Sequence, residues 1–314
     1  MDKIIDLVEG CSSRLGGALN VSTIRPIGSL ASKERVADAT QVLLVDGKSK
    51  EDDCVLILSN PRFPDAVDQA VIKALDAQSS LGIPLGRAVC TPLLTGRWNG
   101  QSYAVYQRLE GFSKNKYFRR FQVLSSGPKI LDWLSGVFQK TRIECFVGEE
   151  RDRDFLMPLR ALSCDESLDD LVRKSAASLE GQVCRGENRT FKCLEHGDFW
   201  HDNVMFFRAP FAALSPAYKD FQIIDWGGSR LNGYPGIDVL RFSTSAFGQG
   251  AAASKRIRLF CESVGMSRVE FSLSCFCALG WLASNLNQFP KNKFNDLASG
   301  LASFLQRHEF LHVK

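Results

Sequence analysis

Two short clusters carry most of the residues able to do chemistry. Glu195-His196-Gly197-Asp198-Phe199-Trp200-His201-Asp202-Asn203 packs acids, imidazoles and an amide into one loop-like run. Ile223-Ile224-Asp225-Trp226-Gly227-Gly228 is an apolar run that ends in an aspartate and two glycines. A carboxylate that can aim a hydroxyl, together with an amide and a second carboxylate that can hold a divalent cation, is the set that phosphoryl transfer requires. Asp198 suits the first role, because a carboxylate can accept the hydroxyl proton late in the transfer. Asn203 and Asp225 suit the second, since amide and carboxylate oxygens are hard ligands for Mg²⁺. Gly197 and Gly227 free the backbone for tight turns. His196 is expected to brace the loop by hydrogen bonding rather than to act as the base.

The elements that must position these groups fall into two textures. Residues 21–58 read as strands: Thr23 to Ile27, Ala39 to Val45 ending at Asp46-Gly47, and Cys54 to Leu58. Residues 64–79 have a helical stripe through Ala66, Val67, Ala70, Val71, Ala74 and Leu75. A strand pair is predicted next, Ala88 through Leu94 and Ser102 to Tyr106, joined by a turn at Asn99-Gly100. After Glu110-Gly111 helices take over, with faces at Ile130, Leu131, Trp133, Leu134, Val137 and Phe138, and at Leu168, Leu171, Val172, Ala176 and Leu179. Val204 to Phe207 and Phe221 to Ile224 form a predicted hairpin, and the pattern from Ile237 onward is helical.

The two clusters resemble the catalytic and metal-binding loops of the aminoglycoside phosphotransferase and choline kinase superfamily, which has the protein-kinase-like fold. The His-Gly-Asp-x-x-x-x-Asn pattern is met by His196, Gly197, Asp198 and Asn203, and the Ile-Asp-Trp pattern by Ile224, Asp225 and Trp226. A third element, Gly-x-Pro-x-x-Asp, is met by Gly233, Pro235 and Asp238, whose carboxylate would buttress the catalytic loop. The resemblance implies an α+β, two-lobed protein-kinase-like fold, with a β-rich nucleotide-binding lobe at 1–107 and a mostly helical catalytic lobe at 108–314. It implies Asp198 as base, with His196 beside it, Asn203 and Asp225 as Mg²⁺ ligands, and ATP as phosphate donor. The partners implied are a nucleotide and a small molecule bearing a hydroxyl group: a sugar, an amino alcohol or an aminoglycoside-like compound.

One part departs from the pattern. Kinase-like folds hold the α- and β-phosphates with a basic residue on the third strand. Here that strand reads Cys54-Val55-Leu56-Ile57-Leu58. Gly28, Ser29, Ser32 and Lys33 of the loop after the first strand are the expected nucleotide contacts, and Arg62 lies just past the third strand. Lys33 or Arg62 would have to supply the charge. A kinase-like module without phosphoryl transfer is therefore the alternative. A metal-dependent hydrolase built on His196, Asp198, His201 and Asp202 is a more distant one, with only 4 histidines in the chain.

Composition bounds the rest. At 314 residues and 45% hydrophobic content the chain can build one large domain or two lobes. The formal charge of +4 comes without a run of five Lys/Arg, which argues against nucleic acid as partner. The 10 scattered cysteines read as reduced core thiols of a cytoplasmic protein. Met1-Asp2-Lys3 opens no signal-like apolar segment. Phe271 to Pro290 lacks charge, but its serines and asparagines favour a buried helix over a membrane span, and no membrane association is expected. Trp133, Phe276 and Trp281 are expected in the core. Residues 240–290 should line the acceptor pocket, and with only Glu262 and Glu270 there they favour a neutral or singly charged alcohol. Oligomeric state is not legible.

Overall fold

The computed structural model describes residues 2–17, 19–26, 40–49, 52–145, 148–207, 221–286 and 290–311. Helix α1 (Asp2–Arg14) leads into strands β1 (Leu19–Pro26), β2 (Gln41–Gly47) and β3 (Cys54–Leu58). Helix α2 (Ala66–Leu81) follows, then β4 (Leu94–Trp98) and β5 (Gln101–Gln107). The strands form one five-stranded antiparallel sheet of order β1-β2-β3-β5-β4. Successive side chains on a strand point to opposite faces, and β3 uses both. Cys54, Leu56 and Leu58 join Leu7, Val8 and Cys11 of α1 in one core. Ile57 packs on the other face with Val67 and Val71 of α2.

Two buried serines hold the start of α2. Ser59 Oγ accepts the Val67 N–H at 3.0 Å, and Ser102 Oγ accepts the Asp68 N–H at 3.2 Å. These are donors that a helix start leaves without partners of its own. The predicted turn at Asn99-Gly100 is present, both residues having positive φ (49° and 80°), the geometry of a two-residue hairpin loop. The sequence predicts that the first strand of this hairpin starts at Ala88, but it starts at Leu94, and Ala88–Cys90 lies outside it. Leu85–Ala88 is a short 3₁₀ turn, and Val89 makes an isolated parallel bridge to Ile223.

The helical part begins with α3 (Lys116–Thr141), capped by Asn115, whose Oδ1 accepts the N–H groups of Tyr117 and Phe118. Strand β6 (Ile143–Glu144), α4 (Glu149–Arg151), a π turn, α5 (Met157–Ser163), α6 (Asp170–Cys184) and β7 (Phe191–Glu195) follow. The chain then makes the hairpin β8 (Val204–Phe206) and β9 (Phe221–Ile223), paired Val204 to Ile223 and Phe206 to Phe221. It ends with β10 (Arg230–Gly233), α7 (Pro235–Phe247), α8 (Ala251–Val264), α9 (Arg268–Ala283) and α10 (Lys291–Arg307). β7 is flanked by β10 and β6 in a three-stranded sheet.

The chain divides into two compact units. One is Met1–Phe112 with Asp202–Gly228, the other Ser113–His201 with Ser229–Lys314. A contiguous division at 107/108 would put Asp202–Gly228 in the helical lobe, whereas its contacts group it with the sheet. The cause is backbone pairing. The Cys90 N–H donates to Ile223 O at 3.0 Å, and Glu110 and Phe206 exchange both of their backbone hydrogen bonds.

In the helical unit α9 is buried on nearly all sides from Glu270 to Gly280. Among the described residues no helix is long and apolar enough to cross a membrane. Two glycines let backbones meet here. A Cβ on Gly280 would lie 2.1 Å from the Pro158 carbonyl oxygen, and one on Gly236 would lie 2.9 Å from the Phe271 carbonyl oxygen. Trp133 and Phe276 are core residues at 1% and 0% exposure. Trp281 is not: it is 38% exposed, and the Arg230 guanidinium lies over its ring at 3.7 Å. All ten cysteines are free thiols, and of these Cys164 and Cys184 are exposed.

Candidate active site

Strand β7 is buried along its whole length and delivers His196-Gly197-Asp198 at its end. The turn is held from below by α7. Asp238, in the first turn of that helix, accepts the His196 N–H at 2.6 Å and the Gly197 N–H at 3.0 Å. Gly197 has φ +83°, a conformation that glycine adopts at no steric cost. Asp238 is 3% exposed. Burial, reinforced by the Glu195 charge, pushes its carboxyl up to about 7, against the pull of the two N–H bonds and Arg241. Glu195 is itself satisfied by the Tyr234 N–H at 2.5 Å and by Arg230.

His196 is 3% exposed, and its Nδ1 accepts the Asp198 N–H at 3.3 Å. Its ring meets Phe199 edge-on at 5.4 Å, and Phe199 stacks on Trp133 and packs against Phe242. These contacts make it a brace. Asp198 is half exposed, and its Oδ1 accepts from Arg241 Nη1 at 3.0 Å and from the Trp200 indole. Arg241 also donates to the Gly197 carbonyl, and its guanidinium lies 5.4 Å from the Trp200 ring centre. Arg241 was not anticipated from the sequence. The available signal was its i+3 spacing from Asp238, which puts both on one face of α7.

Asn203 and Asp225 are brought together in the sheet-bearing unit by the hairpin. The Ile224 N–H donates to the Asn203 carbonyl at 3.0 Å, one step beyond the Val204–Ile223 pair. Asp225 follows directly, exposed and with φ +64°. A non-glycine residue in that region costs energy, and such strain clusters at functional sites. Trp226 anchors the turn, its buried indole donating to the Ile223 carbonyl at 2.8 Å. One amide and one carboxylate on adjacent strand ends are an oxygen-donor set that fits Mg²⁺, a cation usually held by one or two protein groups plus phosphates and water.

Of the expected nucleotide contacts, Gly28, Ser29, Ser32 and Lys33 lie outside the described residues. Arg62 is exposed in the turn between β3 and α2, where its N–H donates to Asn60 Oδ1 at 2.9 Å. The third strand is apolar throughout, as read. Lys73 of α2 donates from Nζ to the Gly227 carbonyl at 2.6 Å.

Comparison with protein-family models finds no match, and comparison with curated proteins finds none either. Solved structures do match. A thermostable mutant of an aminoglycoside phosphotransferase in apo form aligns over 96% of this chain and 98% of its own, with TM-score 0.54 and 13% identity. The GDP complex of an aminoglycoside 2'-phosphotransferase mutant aligns over 98% of both chains, with TM-score 0.55 and 13% identity. A putative fructosamine-3-kinase from Haemophilus somnus aligns over 96% of this chain and 95% of its own, with TM-score 0.54 and 12% identity. The chain therefore has a protein-kinase-like fold, with an antiparallel five-stranded sheet in its N-terminal region and helices in its C-terminal region. The fold is shared with these aminoglycoside phosphotransferases, with the putative fructosamine-3-kinase and with a choline/ethanolamine kinase family protein from Mesorhizobium loti.

Proposed function

We propose that the protein is an ATP- and Mg²⁺-dependent phosphotransferase acting on a hydroxyl group of a small molecule. The observation that carries this reading is the clamp of Asp238 on His196 and Gly197, which holds Asp198 at a strand end with its carboxylate half exposed. A base in phosphoryl transfer must be fixed before the substrate arrives, because catalysis there is mostly positioning and electrostatics. The acceptor hydroxyl oxygen forms its bond to the γ-phosphorus, the bond to the bridging oxygen of the nucleoside diphosphate breaks, and Asp198 takes the hydroxyl proton. Asn203 and Asp225 would hold Mg²⁺, which when bound supplies positive charge to the β- and γ-phosphate oxygens. His196 keeps the loop in shape and takes no proton from the acceptor.

The acceptor is a sugar, an amino alcohol or an aminoglycoside-like compound. Residues 240–290 carry only Glu262 and Glu270 as acids, and Glu195 and Asp198 are already paired with Arg230 and Arg241. That favours a neutral or singly charged alcohol over a polycation. The chain is read as cytoplasmic, with a nucleotide and a small molecule as partners.

The test is an unbiased metabolite panel incubated with ATP and Mg²⁺, read by mass spectrometry for the gain of one phosphate. Wild type should phosphorylate a restricted set, and Asp198→Asn should abolish the gain. Unchanged turnover in Asp198→Ala would sink the assignment. A kinase-like module that does not transfer phosphate is the second reading, favoured by the apolar third strand Cys54–Leu58. Nucleotide binding without any phosphorylated product would select it.

A further inference from the structure

We propose that Lys73 is the cation that holds the nucleotide phosphates in this chain, in place of a basic residue on the third strand. The inference rests on the nucleotide-binding part of the phosphotransferase reading and concerns residues of the sheet-bearing unit alone.

Strand β3 has no position to offer. Cys54, Leu56 and Leu58 are committed to the core beneath α1, and Ile57 to the core beneath α2. Val55, the remaining residue, is half-buried and apolar. The charge must come from a neighbouring element that reaches the metal loop, and α2 does. A methyl group built on Gly227 would sit 3.9 Å from Ala70 Cβ and 3.7 Å from Asp225 Oδ1, so α2 and the Asp225 carboxylate border the same spot. Lys73 lies one helical turn beyond Ala70 on that face, and its ammonium is 2.6 Å from the Gly227 carbonyl.

The choice of acceptor matters. Arg25, Arg97 and Arg108 of this unit are each paired with a carboxylate, on Asp46, on Asp65 and Asp68, and on Asp53. Lys73 bonds a neutral carbonyl, so its charge is not cancelled by that contact. An ammonium group has three donors, and Gly227 takes one. The others are available to phosphate oxygens beside the cation that Asn203 and Asp225 would hold. The flexible four-carbon stem lets the head group move between carbonyl and phosphate.

The test is calorimetric titration of ATP and GTP, with Mg²⁺, into wild type and three variants. Lys73→Met removes charge and donor. Lys73→Gln keeps a donor for the Gly227 carbonyl but no charge. Lys73→Arg keeps both. Expected is a loss in triphosphate affinity of about tenfold or more in Lys73→Met and Lys73→Gln, the size of one charge-assisted bond, with Lys73→Arg close to wild type. Lys73→Gln binding like wild type would overturn the proposal, whether Lys73→Met also binds normally or loses affinity as a broken latch would. Wild type that binds a triphosphate but phosphorylates nothing would remove the functional reading and leave this inference standing. Wild type that binds neither triphosphate would overturn both.

Discussion

Arg241 donates to Asp198 Oδ1 at 3.0 Å, from a position one turn along the helix whose Asp238 clamps the backbone just before Asp198. One face of α7 thus governs both the main chain of the His196–Asp198 turn and the side chain proposed as the base. Arg241 is largely buried, at 12% side-chain exposure, and its second bond goes to the Gly197 carbonyl. The arrangement makes it a positioning residue.

Removing Arg241 should misplace Asp198 rather than weaken nucleotide binding. Arg241→Ala is expected to lower kcat by about 10- to 100-fold, the scale of a misplacement of about 1 Å, with KM for nucleotide little changed. Arg241→Lys should recover part of the loss. In an Asp198→Asn background the Arg241→Ala change should add little, because residues acting as a unit are not additive. Steady-state kinetics of the four variants check this, and full additivity would contradict it.

Asn203 and Asp225 share the proposed cation, so their loss should appear as an altered demand for metal. Asn203→Ala should raise the Mg²⁺ concentration for half-maximal activity by about tenfold or more, and Asp225→Asn should abolish turnover. A Mg²⁺ titration of initial rates reads both. An unchanged Mg²⁺ requirement in Asn203→Ala would remove it from the ligand set.

Stability should respond to pH in two opposite ways. Asp238 is pushed from 3.8 up to about 7 by burial and by the charge of Glu195. Between those values the native state binds more protons than the unfolded chain, so this group makes stability fall as pH rises through that window. Glu270 behaves oppositely. Burial acts to raise its carboxyl, but Arg189 and the Ser267 N–H outweigh that and hold it below the ordinary 4.5. Its contribution is present above 4.5 and is lost as pH falls through the lowered value. Urea denaturation across pH should show a shallower decline toward neutrality in Asp238→Asn and a shallower loss on the acid side in Glu270→Gln.

Close backbone contact in the helical unit gives a purely structural prediction. A Cβ at residue 280 would meet the Pro158 carbonyl oxygen at 2.1 Å, and the obstacle is main chain that cannot rotate away. Gly280→Ala should cost about 1–3 kcal/mol or more, as overpacking does. Denaturation midpoints measure it. A variant as stable as wild type would mean that α5 and α9 do not cross so closely.

Much was legible wherever a short-range pattern had a single physical solution. The hairpin around Val204 and Ile223 follows from two apolar β-rich runs, and α2 follows from its 3.6-residue stripe. Helix α1 has a comparable stripe in Ile4, Leu7, Val8 and Cys11, whose packing against the sheet identifies it. Trp281 was placed in the core on its apolar bulk. Only the neighbouring guanidinium of Arg230 explains why it stays at the surface.

By itself the sequence determined which candidates for chemistry are present: Asp198, Asn203 and Asp225, the loop glycines, and the absence of a cation in Cys54–Leu58. These are matters of residue type and local spacing, and neither depends on what lies across the molecule. Tertiary structure alone decided the partners: Arg241 on Asp198, Lys73 on Gly227, and Asp202–Gly228 joined to the sheet. Each of these contacts spans dozens of residues of chain. Many polar groups compete for such a pairing, and only burial and backbone hydrogen bonding select one.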